Sequence, residues 1–318
     1  MIVRDEEQNL RELLPTIVGV FDEMVIVDTG STDNTVQVAE SFGATVHHFE
    51  WIKDFAAARN FSFEKTQYEW VMWLDADDRI EDVEELKRFI KEELPGVTKE
   101  VVMCDYLIDE FNPGEWKTQT KRERFIHRFH DQRWIYPIHE SIPSKMEDRH
   151  YNKTVRILHP PNSTRHLERN LEIHEKMWEE GFRDENTIFH FGQDLFMTKQ
   201  YERSIEILNF YNLDTAVGTP KYWVPVLIAT AYKILGSMLK SLQYYLIAVS
   251  INPRRAEAWM EAGLIYEMLG DYASALPFYS AAEHLQVPED DSLVLHVCYG
   301  DPVKEKIKLC REKVGQPA

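Results

Sequence analysis

The segment Trp70-Val-Met-Trp-Leu-Asp75-Ala-Asp77-Asp78-Arg79 concentrates more chemistry than any other stretch of the chain. An apolar run ends in three carboxylates, at the edge where open α/β sheets bind ligands. On an extended chain, carboxylates at i and i+2 point to one side. That placement suits a hard divalent cation held by oxygen atoms and shared with substrate phosphates. The alternative is an acidic turn in which Asp78 caps the next helix. Upstream, Val25-Ile-Val-Asp28-Thr-Gly-Ser-Thr-Asp-Asn again ends a strand in an aspartate, followed by a turn and a helix start. Phe55-Ala-Ala-Ala-Arg59-Asn60 puts an arginine on a helix of small residues. Further ionisable groups stand at His139-Glu140 and, after a strand-like run, at His159. A lone histidine at a strand end is also an ordinary structural feature. His47 and His48 are adjacent, so on a strand they point opposite ways and do not share a metal.

The elements that must position these groups alternate between strand and helix. Met24 to Val27 and Val71 to Leu74 read as strands. Helices are expected from Ser31-Thr-Asp-Asn to Phe42-Gly43, from about Asp54 to Lys65, and after Asp78 with Val83, Leu86, Phe89 and Ile90 on one face. Later strand-like runs are Val101 to Ile108, Arg124 to Phe129 and Thr154 to Leu158. This rhythm predicts a mixed, mostly parallel sheet covered by helices. Met1-Ile-Val reads as the end of a strand whose opening residues lie upstream, so a truncated first strand is expected. Near residue 165 the text turns helical. Tyr222 onward aligns with Ala256 onward at an offset of 34, with Tyr232 over Tyr266, Gly236 over Gly270 and Tyr245 over Tyr279. A weaker copy starts near Glu185. A period of about 34 residues is the tetratricopeptide (TPR) signature, so residues 171–291 are expected to form TPR-like helix pairs and 292–318 a capping helix.

The balance of 44% hydrophobic and 28% charged residues is that of a globular protein. A net charge of −18 works against binding nucleic acid or anionic lipid. Cys104, Cys298 and Cys310 are too few for a disulfide framework and fit a reducing compartment as small buried residues. With no run of about 18 apolar residues and no secretion signal, a cytoplasmic location without a transmembrane segment is expected.

The opening Met1-Ile-Val-Arg-Asp-Glu-Glu, the Asp28 strand end, the Arg59 helix and the Asp75–Asp78 segment, in that order, resemble family 2 glycosyltransferases of the GT-A fold. The resemblance covers about residues 1–170. Such domains also occur joined to TPR-like repeats, an architecture similar to that of peptide S-glycosyltransferases that modify bacteriocins. It implies a Rossmann-like α/β GT-A domain followed by an all-α repeat domain, and inverting transfer of sugar from a UDP-sugar with Mn²⁺ or Mg²⁺. By resemblance, Asp28 would contact the uracil, Arg59 the nucleotide or its phosphates, Asp75 the ribose or sugar, and Asp77 the metal. His159 would complete the metal shell, although Pro160-Pro161 follows it where relatives carry Gly-Tyr. His139 or Glu140 would take the acceptor's proton. Glu6, with Glu7, would border the nucleotide; the alternative for these two is a helix start, which acids favour.

A nucleotidyltransferase would need a glycine-rich loop where this chain has Arg4-Asp-Glu-Glu-Gln-Asn, and a phosphate-binding Gly-x-x-x-x-Gly-Lys loop is absent from the sequence. A non-catalytic TPR scaffold with a relic UDP-binding domain is the alternative from another class; the intact acidic triplet speaks against it. Because TPR grooves commonly hold peptides, a peptide or protein acceptor is favoured over a glycan or lipid. A homodimer through the repeats is a further expectation.

Overall fold

The computed structural model describes residues 1–112, 115–128, 132–159, 165–288 and 294–315. The chain divides into two compact units, Met1–Asn162 and Ser163–Ala318.

In the first unit, β1 (Ile2–Val3), β2 (Val25–Asp28) and β3 (Thr45–His48) form a parallel sheet in the order β1-β2-β3. Two helices belong to it, α1 (Glu7–Ile17) and α2 (Thr35–Ser41). Leu10, Leu13, Leu14 and Ile17 recur at helical spacing and bury one face of α1. Every residue of β2 is buried, as expected of a parallel strand covered on both faces. After α3 (Phe55–Glu64), a second sheet runs in the order β4 (Trp70–Met72), β7 (Glu115–His127), β6 (Val101–Asn112), β8 (Arg149–His159), β5 (Arg79–Ile80). Along this order β6 and β8 pair in parallel, whereas β4–β7, β6–β7 and β5–β8 are antiparallel. The N-terminal unit is thus a mixed-sheet α/β domain, parallel in its first sheet and chiefly antiparallel in its second. Strands β6 and β7 extend beyond the apolar stretches that announce them, because the first half of β7, Glu-Trp-Lys-Thr-Gln-Thr, is mostly polar and carries no apolar run.

Helix α4 (Val83–Arg88) is capped by Asp82, whose carboxylate accepts from the Glu84 and Glu85 amides at 3.0 Å. This corrects the reading of Asp78 as the helix cap. Residues 75–78 are a turn closed by the Asp78 amide on the Asp75 carbonyl at 3.1 Å, so the acidic segment is not extended either.

Between β2 and β4 lies a cavity of about 420 Å³. Val25 and Ile26 form one wall and Trp70, Val71 and Met72 another. Were it closed and empty, such a void would cost on the order of 10 kcal/mol at roughly 24 cal/mol per Å³. That is comparable with the net stability of a whole domain.

The second unit is TPR-like. Helix α5 (Arg165–Glu179) precedes three helix pairs: α6 (Glu185–Met197) with α7 (Tyr201–Leu208), α8 (Pro220–Ile234) with α9 (Met238–Ile251), and α10 (Ala256–Met268) with α11 (Tyr272–Ala282). Small residues set how closely paired helices approach. A Cβ on Gly263 would come within 2.6 Å of the Tyr279 ring, and one on Gly192 would run into the Leu208 side chain. Gly236 and Gly270 take φ of 78° and 77° just past the first helix of their pairs, the left-handed closing position that glycine fills without strain. The buried Arg255–Glu257 ion pair at 2.7 Å is completed by the Tyr299 hydroxyl, which donates to Glu257 at 3.0 Å. Helix α12 (Asp301–Lys313) buries Val303, Ile307 and Cys310 in one cluster with Ala275, Tyr279 and Ala282. All three cysteines are buried and unpaired, and burial pushes the Cys104 and Cys298 thiols up to about 12. No helix among the described residues is long and apolar enough to cross a membrane.

Candidate active site

The turn that joins β4 to β5 carries Asp75, Asp77 and Asp78, and the three aspartates have different surroundings. Asp78 is fully buried. Its Oδ2 accepts from Arg124 at 2.7 Å and from the Asp75 amide at 3.0 Å, and its Oδ1 accepts from the Tyr106 hydroxyl at 3.1 Å. Burial alone would raise this carboxyl, but the guanidinium of Arg124 overrides that and holds it down, to about 2. Arg124 itself has no exposed surface and lies between the rings of Trp73 and Tyr106, 4.0 and 4.6 Å from their centroids. Asp78 is therefore the rivet of the turn, fixing the Asp75 backbone and the strand behind it.

Asp77 keeps 23% of its side chain exposed. Burial, with the charges of Asp75 and Asp78, raises its pKa. An anion is thus held where a cation would relieve it. The end of β8 brings His159 alongside, with Nδ1 3.4 Å from Asp78 Oδ1 and 3.9 Å from Asp77 Oδ1. Burial would lower the imidazole pKa, but Asp78 and Asp77 outweigh it and raise it. One ligand atom each from Asp77, Asp78 and His159 lies within 4.8 Å of the others, a spacing able to hold a metal ion.

Asp75 belongs to a second group. Arg59 reaches from α3 to Asp75 Oδ1 at 3.3 Å and to Glu140 Oε1 at 2.9 Å through Nε. Its guanidinium is buried against Trp73 and Trp134, 4.3 and 4.9 Å from their centroids. Burial pushes the Glu140 carboxyl up, but Arg59 pulls it below the usual range. Glu140 is placed by a tight loop: Ile135 and Ser141 exchange backbone hydrogen bonds at 3.0 and 3.2 Å, and Tyr136 and His139 take φ of 70° and 51°. Such left-handed non-glycine residues carry strain that the surroundings must hold. Asn60 does much of that holding. Its side chain donates to the Trp134 carbonyl and accepts from the Trp134 amide, both at 2.9 Å, while the Phe55 amide donates to the Pro137 carbonyl at 2.8 Å.

Asp28 and Glu6 are fixed elsewhere, around the loop that follows β2. Asp28 is buried; its oxygens accept from the Gly30 and Ser31 amides at 3.2 and 3.0 Å, and His48 Nδ1 lies 3.3 Å away. Glu6 immediately precedes α1; its amide donates to Thr35 at 2.7 Å and its carboxylate accepts from Asn9 at 2.6 Å. Asp5 clasps the same loop by accepting from the Thr32 amide at 2.7 Å. His127 pairs with Glu69 at 2.7 Å and packs on Trp70, whereas His130 and Pro160-Pro161 lie outside the described residues. Sequence reasoning missed Asn60, Tyr106 and Arg124. Arg124 left one signal, a cation directly before the buried Phe125-Ile126.

Residues 1–166 match the model of Glycosyl transferase family 2. The SPbeta prophage-derived glycosyltransferase SunS of Bacillus subtilis is 24% identical over 222 residues, covering 65% of this chain and 51% of SunS. A TPR repeat-containing protein of Synechococcus elongatus is 40% identical over 80 residues, 25% of this chain and 20% of that protein. The chain therefore spans about half the length of SunS and a fifth of the Synechococcus protein. Crystal structures of MamA align with 47% of this chain at 15% identity and a TM-score of 0.37, a likeness too slight to carry weight.

Proposed function

We propose that this chain, which belongs to glycosyl transferase family 2, moves the sugar of a UDP-sugar to an acceptor with inversion. A divalent ion, Mn²⁺ or Mg²⁺, would be held by Asp77 and His159. The observation that carries this reading is the Asp77–Asp78–His159 cluster at the ends of β4 and β8, beside the Arg59–Asp75 pair. Such an ion supplies Lewis-acid neutralisation of the diphosphate leaving group. The chain's own residues do the rest. Asp78 orients His159 and anchors the turn. A ligating imidazole must be neutral, so the raised pKa of His159 works against ion binding as pH falls. Arg59 would offer a buried cation to the nucleotide or its phosphates, Asp75 would contact the ribose or sugar, Asp28 the uracil, and Glu6 would border the nucleotide.

Glu140, paired to Arg59 and held below the ordinary carboxylate range, is a weak proton acceptor while that pair lasts. The adjacent His139 is then the better candidate for the base. The acceptor we favour is a peptide or protein side chain laid on the helical repeats, in the cytoplasm. The experiment is a panel of UDP-sugars, assayed for UDP release with Mn²⁺ and with EDTA. Release from at least one donor, abolished by EDTA, is expected. The pH–rate profiles of His139→Ala and Glu140→Gln with an accepted peptide separate the two bases.

A further inference from the structure

Three guanidiniums gather on one indole. Arg59 and Arg124 lie 4.3 and 4.0 Å from the Trp73 ring centroid, and Arg122, from the same strand as Arg124, lies 5.7 Å from it. The first two are already paired. Arg59 faces both Glu140 and Asp75, and Arg124 is fully buried against Asp78. Next along β7, Lys121 is closed onto Asp105 at 2.6 Å, with both side chains largely buried. Arg122 differs from all of these. Among the described residues it makes no hydrogen bond, and its Nε is sealed from solvent without a partner. The carboxylate it approaches, that of Glu123, stands 3.7 Å from Nε, and the other Glu123 oxygen accepts from the Ile142 amide at 3.4 Å. Yet 36% of the Arg122 side chain is exposed, so the guanidinium is rooted in the protein and open at its tip.

Its charge reaches both groups of the site. Burial pushes the Glu140 carboxyl up, and Arg59, followed by Arg122, pulls it down. Burial and Asp78 push the Tyr106 phenol up, and Arg124 and Arg122 oppose them. Glu140 belongs to the Arg59–Asp75 side, whereas Tyr106 donates to Asp78 on the Asp77–His159 side. Asp75, Asp77, Asp78 and Glu140 outnumber the arginines paired with them, so those pairs leave no positive charge over for an anion.

We propose that Arg122 meets the negative charge of the donor's diphosphate, an inference that rests on the UDP-sugar reading above. A guanidinium is a planar fork that can bond two phosphate oxygens at once. Arg122 has no hydrogen bond to break before doing so. It would share the neutralisation of the leaving group with a divalent ion at Asp77.

The test is calorimetric titration of UDP and of uridine, in Mn²⁺, into the parent, Arg122→Met and Arg122→Lys. Loss of charged hydrogen bonds is expected to weaken UDP binding to Arg122→Met by about tenfold or more and to leave uridine binding unchanged. Arg122→Lys, which keeps the charge without the fork, is expected to recover part of that loss. Should Arg122→Met not fold, Arg122→Gln, which can still bond to Glu123, carries the same comparison. Parental UDP affinity in the neutral variant overturns the proposal. So does an equal loss for UDP and uridine, which is damage to the pocket as a whole. Turnover lost with UDP affinity intact places Arg122 against the acceptor and overturns it too. A parent that binds UDP no more tightly than uridine overturns the UDP-sugar reading and this role with it. A parent that prefers UDP, beside an Arg122→Met variant that prefers it equally, overturns the role of Arg122 alone.

Discussion

Replacing Asp77 by asparagine is expected to cut turnover by about 10²- to 10³-fold, the usual cost of removing one electrostatic element from a site that stabilises developing charge. Asparagine keeps the shape and one acceptor oxygen but loses the charge on which a hard cation depends. Stability should not fall with activity. Asp77 is an anion that burial and two neighbouring aspartates already disfavour, as its raised pKa records. It makes no bond comparable with that of Asp78 to Arg124. The Asp77→Asn melting temperature should therefore equal or slightly exceed that of the parent. Near-parental turnover in the folded variant would remove the metal role from Asp77.

Arg124→Met is expected to act in the opposite way, as a loss of fold first. Removing one partner of a fully buried pair leaves the other charge stranded, at a cost of about 3–5 kcal/mol. Methionine retains packing between Trp73 and Tyr106 but offers Asp78 nothing. The pH dependence carries the sign. The Asp78 pKa is depressed in the folded protein, to about 2. Its contribution is therefore complete above the ordinary aspartate value, near pH 4, and is lost as pH falls towards 2. The deficit of Arg124→Met against the parent should be greatest at high pH and narrow as pH falls, starting above pH 4 because the stranded, buried carboxyl takes up its proton above the ordinary aspartate value. Asp78→Asn combined with Arg124→Met should recover most of the stability at neutral pH. Urea unfolding of the parent, the single and the double variant, at neutral pH and at about pH 3, measures all of this. A deficit that does not change with pH would mean that packing, not the ion pair, is what Arg124 provides.

Much of the fold was legible because it is local. Apolar runs closing in Asp28, Asp75 and His159 mark strand ends, and the spacing of glycines and tyrosines marks the helix pairs. Parts of the candidate site were legible for the same reason: Arg59 on a helix of small residues and His139-Glu140 in a loop stand out by type. What could not be read is what depends on partners distant in the sequence. Asp78 and Asp82 both precede a helix and both suit its cap; only the arrival of Arg124 from β7 decides that Asp78 is buried and Asp82 does the capping. Glu140 reads as a base until Arg59 is seen to hold it. Asn60 looks like a helix surface residue until Trp134 is folded against it. The polar first half of β7 is a strand because β6 pairs with it along its length, a partner that no apolar run in the sequence announces.

The central claim is that the acidic turn and His159 make nucleotide binding depend on a divalent cation. The most direct measurement is calorimetric titration of UDP into the protein with Mn²⁺ and again with EDTA, repeated on Asp77→Asn. The account predicts binding in Mn²⁺ that weakens by at least about tenfold in EDTA, and an Asp77→Asn variant that binds equally weakly in both. Equal UDP affinity with Mn²⁺ and with EDTA in the parent protein would contradict it.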